Sequence, residues 1–251
     1  MHMKVICDTH IWYYLGDGSI SSDSIDNENK LVATFVNIDE LARTHNHLTD
    51  FEKVRAAIQA LFKNQSQVIY EQPLGYLKKL ADPDFEYDIM QKHGDILKFT
   101  EAIANGDNID NSKKDDFEKF SKGRVEDLQK VADSWNEEAL KIKTKIKDKK
   151  SHRNFDTKKL VREFISLMVA LSTNKIGLPE NFDWAEIELF ENTLKHFFIE
   201  LEISQMKIQA NDWYDLFQLI YVQPGAKIWL QEKRWITLIK KAGMGKYLYK
   251  Q

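Results

Sequence analysis

Cysteine is almost missing from this chain. Cys7 is the only one in 251 residues, which excludes an internal disulfide framework and any zinc site built from cysteines alone. A reducing, cytoplasmic setting is the matching expectation. Long apolar runs are missing too. The best candidate, residues 164–171, falls well short of the ~18–20 residues that a membrane-crossing helix needs. No charged segment followed by a long apolar one stands near the amino terminus, so no secretory signal is expected. An excess of one charge is also lacking: 36 Lys and Arg against 39 Asp and Glu leave a net charge of −3. Bulk charge therefore does not announce a nucleic-acid binder. There is no Gly-x-Gly-x-x-Gly, no phosphate loop with Gly-Lys-Ser/Thr, no His-x-x-x-His and no internal repeat. His45 and His47, two apart, would face away from each other on a helix, so zinc is not expected.

What is present suffices for a packed core. Hydrophobic residues make up 43% and aromatics 12% of the chain, which excludes a wholly disordered polymer. The length suits one large domain or two small ones. Met3-Lys4-Val5-Ile6-Cys7 is a short apolar run without alternation, the pattern of a strand buried on both faces. Leu31-Val32-Ala33-Thr34-Phe35-Val36 and Val68-Ile69-Tyr70 predict a second and a third strand. Helices are predicted between them, from Ile38 and over residues 51–62, with a short one over 74–80. Strands alternating with helices point to parallel βαβ units.

From about residue 84 to 204 no strand-like run occurs. Residues 113–150 carry Phe117, Phe120, Val125, Leu128, Val131, Trp135 and Leu140 near helical spacing. Further helices are predicted over 160–171 and 184–203, the latter with Ile187, Phe190, Leu194, Phe197, Phe198 and Leu201 on one face. The α/β pattern then resumes. A helix is predicted from Asn211-Asp212, where either side chain suits a cap. A strand at Ile228-Trp229-Leu230, a helix over 232–242 and a last strand at Tyr247-Leu248-Tyr249 follow. The expected architecture is thus α/β: a twisted parallel sheet flanked by helices, formed by residues 3–83 and 205–251. An all-helical insertion, residues 84–204, would lie between the third and fourth strands.

Acidic residues recur at one kind of place. Asp8 follows the first strand and Glu40 lies just after the second. Asp212 and Asp215 open the helix before the fourth strand, and Glu232 follows that strand. Sites in open parallel sheets form at the carboxyl ends of the strands, so these acids can converge on one crevice. Clustered carboxylates need a counter-charge, and a hard divalent cation with oxygen ligands, Mg²⁺ or Mn²⁺, supplies it. Such ions support in-line displacement at phosphorus. On spacing alone the pattern is common, since acids often follow strands and a helix-start Asp usually caps.

The run Val5-Ile6-Cys7-Asp8-Thr9-His10-Ile11-Trp12 resembles the opening of PIN-domain nucleases, an apolar strand ending in Asp-Thr before an apolar helix. Phe35-Val36-Asn37-Ile38-Asp39-Glu40-Leu41-Ala42 resembles that family's second motif and Asn211-Asp212-Trp213-Tyr214-Asp215-Leu216-Phe217 its third. Ile228-Trp229-Leu230-Gln231-Glu232-Lys233-Arg234-Trp235 resembles the last, which usually ends in Thr-x-Asp. The resemblance covers residues 3–80 and 211–249. It implies that Asp8, Glu40, Asp215 and Glu232 are catalytic and hold Mg²⁺ or Mn²⁺, with Asp212 an extra or alternative ligand. It also implies an endonuclease acting on phosphodiesters, with RNA favoured. Leu230 and Glu232 depart from the family pattern and motivate the alternative, a catalytically inactive PIN-like module that binds a protein partner through the helical insertion.

The remaining candidates each have two readings. Thr9 can orient Asp8 or cap the next helix. Asn211 can contact a ligand or cap its own helix. Trp12, Tyr13 and Tyr14 can stack on bases or fill the core, and Trp213 at a helix start is a candidate for exposure. Charge is segregated along the chain: residues 141–159 carry +7, residues 227–250 carry +6, and residues 180–202 carry −6. Each is either a solvated helix face or part of a track for a polyanion. Lys233 and Arg234, next to Glu232, are the leading candidates for phosphate contact.

Overall fold

The computed structural model describes residues 2–26, 28–86, 88–149, 157–173, 177–204 and 209–249. Strands β1 (Met3–Cys7), β2 (Asn29–Thr34), β3 (Gln67–Ile69) and β4 (Lys227–Trp229) form one sheet in the order β3-β2-β1-β4, and every pairing is parallel. Side chains alternate between the faces. Val5, Cys7, Leu31, Ala33 and Trp229 enter one core, while Ile6, Val32, Ile69 and Ile228 enter the other. Both faces are covered, which is why the strands read as continuous apolar runs.

Helix α1 (Thr9–Gly16) leads from β1 to β2. Helices α2 (Phe35–Arg43), α3 (Asn46–Thr49) and α4 (Phe51–Asn64) lead from β2 to β3. Gly16 allows α1 to lie on α4: a Cβ there would stand 2.6 Å from the backbone carbon of Ala56. Between β3 and β4 come α5 (Pro73–Ala81), α6 (Ile89–Ala104), α7 (Lys114–Lys149), α8 (Thr157–Thr173), α9 (Glu188–Ser204) and α10 (Ala210–Gln218); α11 (Lys233–Lys241) follows β4. Among the described residues, no strand lies between Ile69 and Lys227.

These central helices divide between the two faces of the sheet. Ile96, Leu97, Phe99 and Ile103 of α6 pack into the core of Val5 and Leu31. Phe164, Ile165, Phe190, Leu194, Phe197 and Phe198 of α8 and α9 share the core of Ile6 and Val32. Full burial of each such side chain contributes about 1.5–3 kcal/mol, so this stretch supplies much of what covers the sheet. Helix α7 packs less than its spacing predicts: Phe117 is buried, but Val125 and Leu140 are exposed. The side chains of Leu128, Val131, Trp135 and Leu201 lie outside the described set.

Several boundaries differ from expectation. Phe35 and Val36 open α2 instead of ending β2, because Asn37 turns back to accept hydrogen bonds from the Thr34 backbone N–H (2.8 Å) and hydroxyl (3.2 Å). Tyr70 and Leu230 lie just past their strands. The predicted last strand reduces to a 3-10 turn, Gly245–Tyr247, and a single parallel bridge from Leu248 to Ile228. A 3-10 turn, Trp184–Ile187, precedes α9. Helix α10 starts one residue earlier than predicted, and its cap residue is Gln209 rather than Asn211 or Asp212.

Candidate functional site

The sheet order reverses direction at β1. The chain moves outward from β1 to β2 to β3, then returns to place β4 on the other side of β1. The crevice at the carboxyl ends of β1 and β4 is therefore a topological switch point, the position where open parallel sheets bind ligands. Asp8 stands there, with its backbone N–H donating to the Trp229 carbonyl (3.0 Å) and so closing the β1–β4 ladder. Gln218 of α10 is buried and donates to the Cys7 carbonyl (2.7 Å), fixing the third acidic segment against the end of β1.

Asp8 occupies the cap position of α1, yet its carboxylate makes no capping hydrogen bond. It is 8% exposed and accepts instead from Nδ1 of His10 at 3.2 Å. Asp215, on α10, accepts from the buried indole Nε1 of Trp235 at 2.7 Å. Burial first, then the charges of Asp8, Glu232 and Glu40, push the Asp215 carboxyl up to about 8, against the lowering pull of the indole. Glu232 is raised as well, mainly by burial, with Asp8 and Asp212 adding to the rise. His10 is raised to about 9, chiefly by its hydrogen bond to Asp8, with smaller contributions from Glu40 and Asp215. The acids of four distant segments thus sense one another around one crevice. Among the described residues, however, no three His, Cys, Asp or Glu side chains stand close enough to hold one metal ion together.

Asp212 lies apart from this group in its bonding. It is 4% exposed, Oδ2 accepts from the Gln209 N–H (2.9 Å), and Oδ1 pairs with Arg234 Nη1 (2.5 Å). Both of its oxygens are engaged, whereas Asp215 has one oxygen held by Trp235. The same ion pair occupies Arg234, while Lys233 is exposed on the first turn of α11. Thr9 is buried and its hydroxyl accepts from Asn37 Nδ2 (3.1 Å), joining α1 to α2 rather than facing the crevice. Asn211 is exposed on the first turn of α10.

Trp12, Trp213 and Trp229 are core residues. Trp213, a candidate for exposure in the sequence, instead donates to Asn136 Oδ1 (3.2 Å). Cys7 is fully buried, which pushes its thiol up. His47 lies buried among Phe51, Phe99 and Phe117, with its pKa lowered to about 4 by desolvation.

The segregated charges partly meet each other. Lys241 pairs with Glu200 (2.9 Å), Lys246 with Glu188 (2.7 Å), and Lys158 with Glu191 (3.9 Å), which Arg162 also engages (2.5 Å). The acidic segment therefore neutralises part of the basic ones. Of the basic run at 141–159, residues 150–156 and the side chains of residues 145–149 lie outside the described set.

His10, Gln218, Asn37 and Trp235 were not among the expected site residues. The available signal was proximity: His10 is two residues from Asp8, and Trp235 is three from Glu232. Among the described residues no helix is long and apolar enough to cross a membrane. No family model, no curated protein and no solved structure matches the chain.

Proposed function

We propose that this chain is a PIN-like, divalent-metal-dependent endonuclease that hydrolyses phosphodiesters, RNA foremost, at the carboxyl ends of β1 and β4. The observation that carries the reading is geometric: Asp8 closes the β1–β4 ladder, Gln218 ties the helix bearing Asp215 to the same strand end, and burial with the charges of Asp8, Glu232 and Glu40 pushes Asp215 up to about 8. Burial and neighbouring carboxylates disfavour the charged form of Asp215, and a cation bound there would favour it. The donor set fits a hard ion, since its acids offer only oxygen. Mg²⁺ commonly takes one or two protein carboxylates and keeps several waters, so the proposal needs no more than two of these acids on the ion.

Asp8 and Asp215 would hold the ion, and Glu40 and Glu232 would add negative charge beside them. The bound ion supplies Lewis acidity toward the scissile phosphate and lowers the pKa of water. His10, bonded to Asp8, holds a proton at the edge of the crevice that a departing oxygen can accept. Lys233, exposed where α11 begins, is placed to meet a neighbouring phosphate. No side-chain nucleophile is needed. The crevice and its cytoplasmic setting suit a polyanionic substrate, and a protein partner at the central helices is part of the same proposal.

A second reading is an inactive PIN-like interaction module. The missing three-residue group and Leu230 in place of a small polar residue favour it. Cleavage of a circular RNA, with Mn²⁺ and with a chelator, separates the two. The nuclease reading predicts linear product only with the ion, and its loss in Asp8→Asn. No product under any metal condition favours the interaction module.

A further inference from the structure

We infer that Trp235 is a positioning residue for Asp215, fixing one carboxylate oxygen so that the other is presented to the ion. This inference rests on the metal reading above. The indole Nε1 donates to Asp215 Oδ2 at 2.7 Å, and among the described residues no hydrogen bond reaches Oδ1. Trp235 is 2% exposed, and its ring stacks on Phe197 of α9 with centroids 5.8 Å apart and planes 28° apart. Phe197 is itself 1% exposed, within the core shared with α8. The carboxylate is therefore locked by a donor whose own rotamer is held by packing from a different part of the chain. Arg234, the preceding residue, lies over the same indole at 5.4 Å while paired with Asp212. One short segment thus contacts both acids of α10: Arg234 pairs with Asp212 Oδ1, and Trp235 holds Asp215 Oδ2.

A buried indole needs an acceptor, and a core position alone would be met by any carbonyl. Here the acceptor is the carboxylate of Asp215, on the helix that Gln218 ties to the end of β1, so the hydrogen bond sets the direction of a ligand as well as satisfying a donor. Outer-shell partners of this kind typically account for about 10–100-fold in metal affinity. The central helices gain a role from this: through Phe197 they hold the ring that holds the ligand.

The test is Mn²⁺ binding, measured by electron paramagnetic resonance of free Mn²⁺ on the full chain. Wild type is compared with Trp235→Phe and with a chain carrying 3-benzothienylalanine at position 235, which replaces the N–H by sulfur in a ring of nearly the same shape. Melting temperatures without metal report packing in each. The expected result is a loss of about 10–100-fold in Mn²⁺ affinity in both variants, with the melting temperature of the isosteric form within a few degrees of wild type. An isosteric form that binds Mn²⁺ as tightly as wild type overturns the inference, and this form decides if Trp235→Phe fails to fold. Wild type that binds no Mn²⁺ at millimolar concentration overturns the metal reading itself, which is a distinguishable result.

Discussion

At the residue scale, the proton held near Asp215 sets the expected pH behaviour of the metal-free protein. The Asp215 carboxyl is raised from 3.8 to about 8 by burial and by Asp8, Glu232 and Glu40. Between those values the folded chain binds more protons than the unfolded one, so stability falls as pH rises from about 4 to about 8. His10 is raised from 6.5 to about 9 by its bond to Asp8. Its contribution is full below 6.5 and is lost as pH climbs through 9, which is the same direction. With a chelator present, the melting temperature should fall from pH 5 to pH 9. Asp215→Asn should flatten the lower part of that decline and His10→Ala the upper part. A curve for Asp215→Asn that runs parallel to wild type across pH 5–8 would contradict the assignment.

The two basic residues after Glu232 should behave differently from each other. Arg234→Ala leaves Asp212 buried and unpaired, so thermal or urea unfolding should show a loss of about 1–3 kcal/mol. Lys233→Gln should leave stability within about 0.5 kcal/mol. It should weaken RNA binding and lower the salt slope by about one counterion, measured by filter binding across ionic strength. The sequence could not separate the pair because both read as exposed positive charge. Only the fold places Asp212 against Arg234. His10 and Trp235 escaped for a similar reason: their importance lies in which carboxylate each side chain reaches.

At the element scale, the parallel strands were legible because burial on both faces leaves runs such as Val5-Ile6-Cys7 with no polar alternation. Strand ends were less legible. Phe35 and Val36 have good strand chemistry, but Asn37 folds back on Thr34 and α2 starts three residues early. The resulting helix carries Glu40 on its second turn, so the acid is presented by a helix rather than by a strand end. Glycine use at α1 is equally specific. Gly16→Ala would drive a Cβ to 2.6 Å from the Ala56 backbone, and backbone atoms cannot step aside cheaply. A destabilisation of about 1–3 kcal/mol is expected, read by chemical denaturation, with α1 parting from α4. An unchanged midpoint would show that the two helices can shift freely.

At the scale of the whole molecule, the central helices were legible as helices but not as a cover for both sides of the sheet. Their spacing predicts amphipathic elements, whereas the partner of each apolar face is a long-range fact. Phe99 and Ile103 joined the core of Val5, while Phe164 and Phe198 joined that of Ile6. Likewise the charge runs read as a track for a polyanion, yet Lys158, Lys241 and Lys246 meet acids of the same chain. The convergence of acids was expected at this scale, yet among the described residues no three of them stand close enough to share one ion. Parallel strands send their carboxyl ends to one edge, and the order β3-β2-β1-β4 opens that edge between β1 and β4.

The claim that this edge is a metal site is tested most directly by anomalous scattering from a crystal of the chain soaked in Mn²⁺. The account predicts a peak at the carboxyl ends of β1 and β4, ligated by Asp8 and Asp215 and absent in Asp8→Asn crystals. Saturating Mn²⁺ with no peak there, or with a peak unaffected by Asp8→Asn, would contradict it.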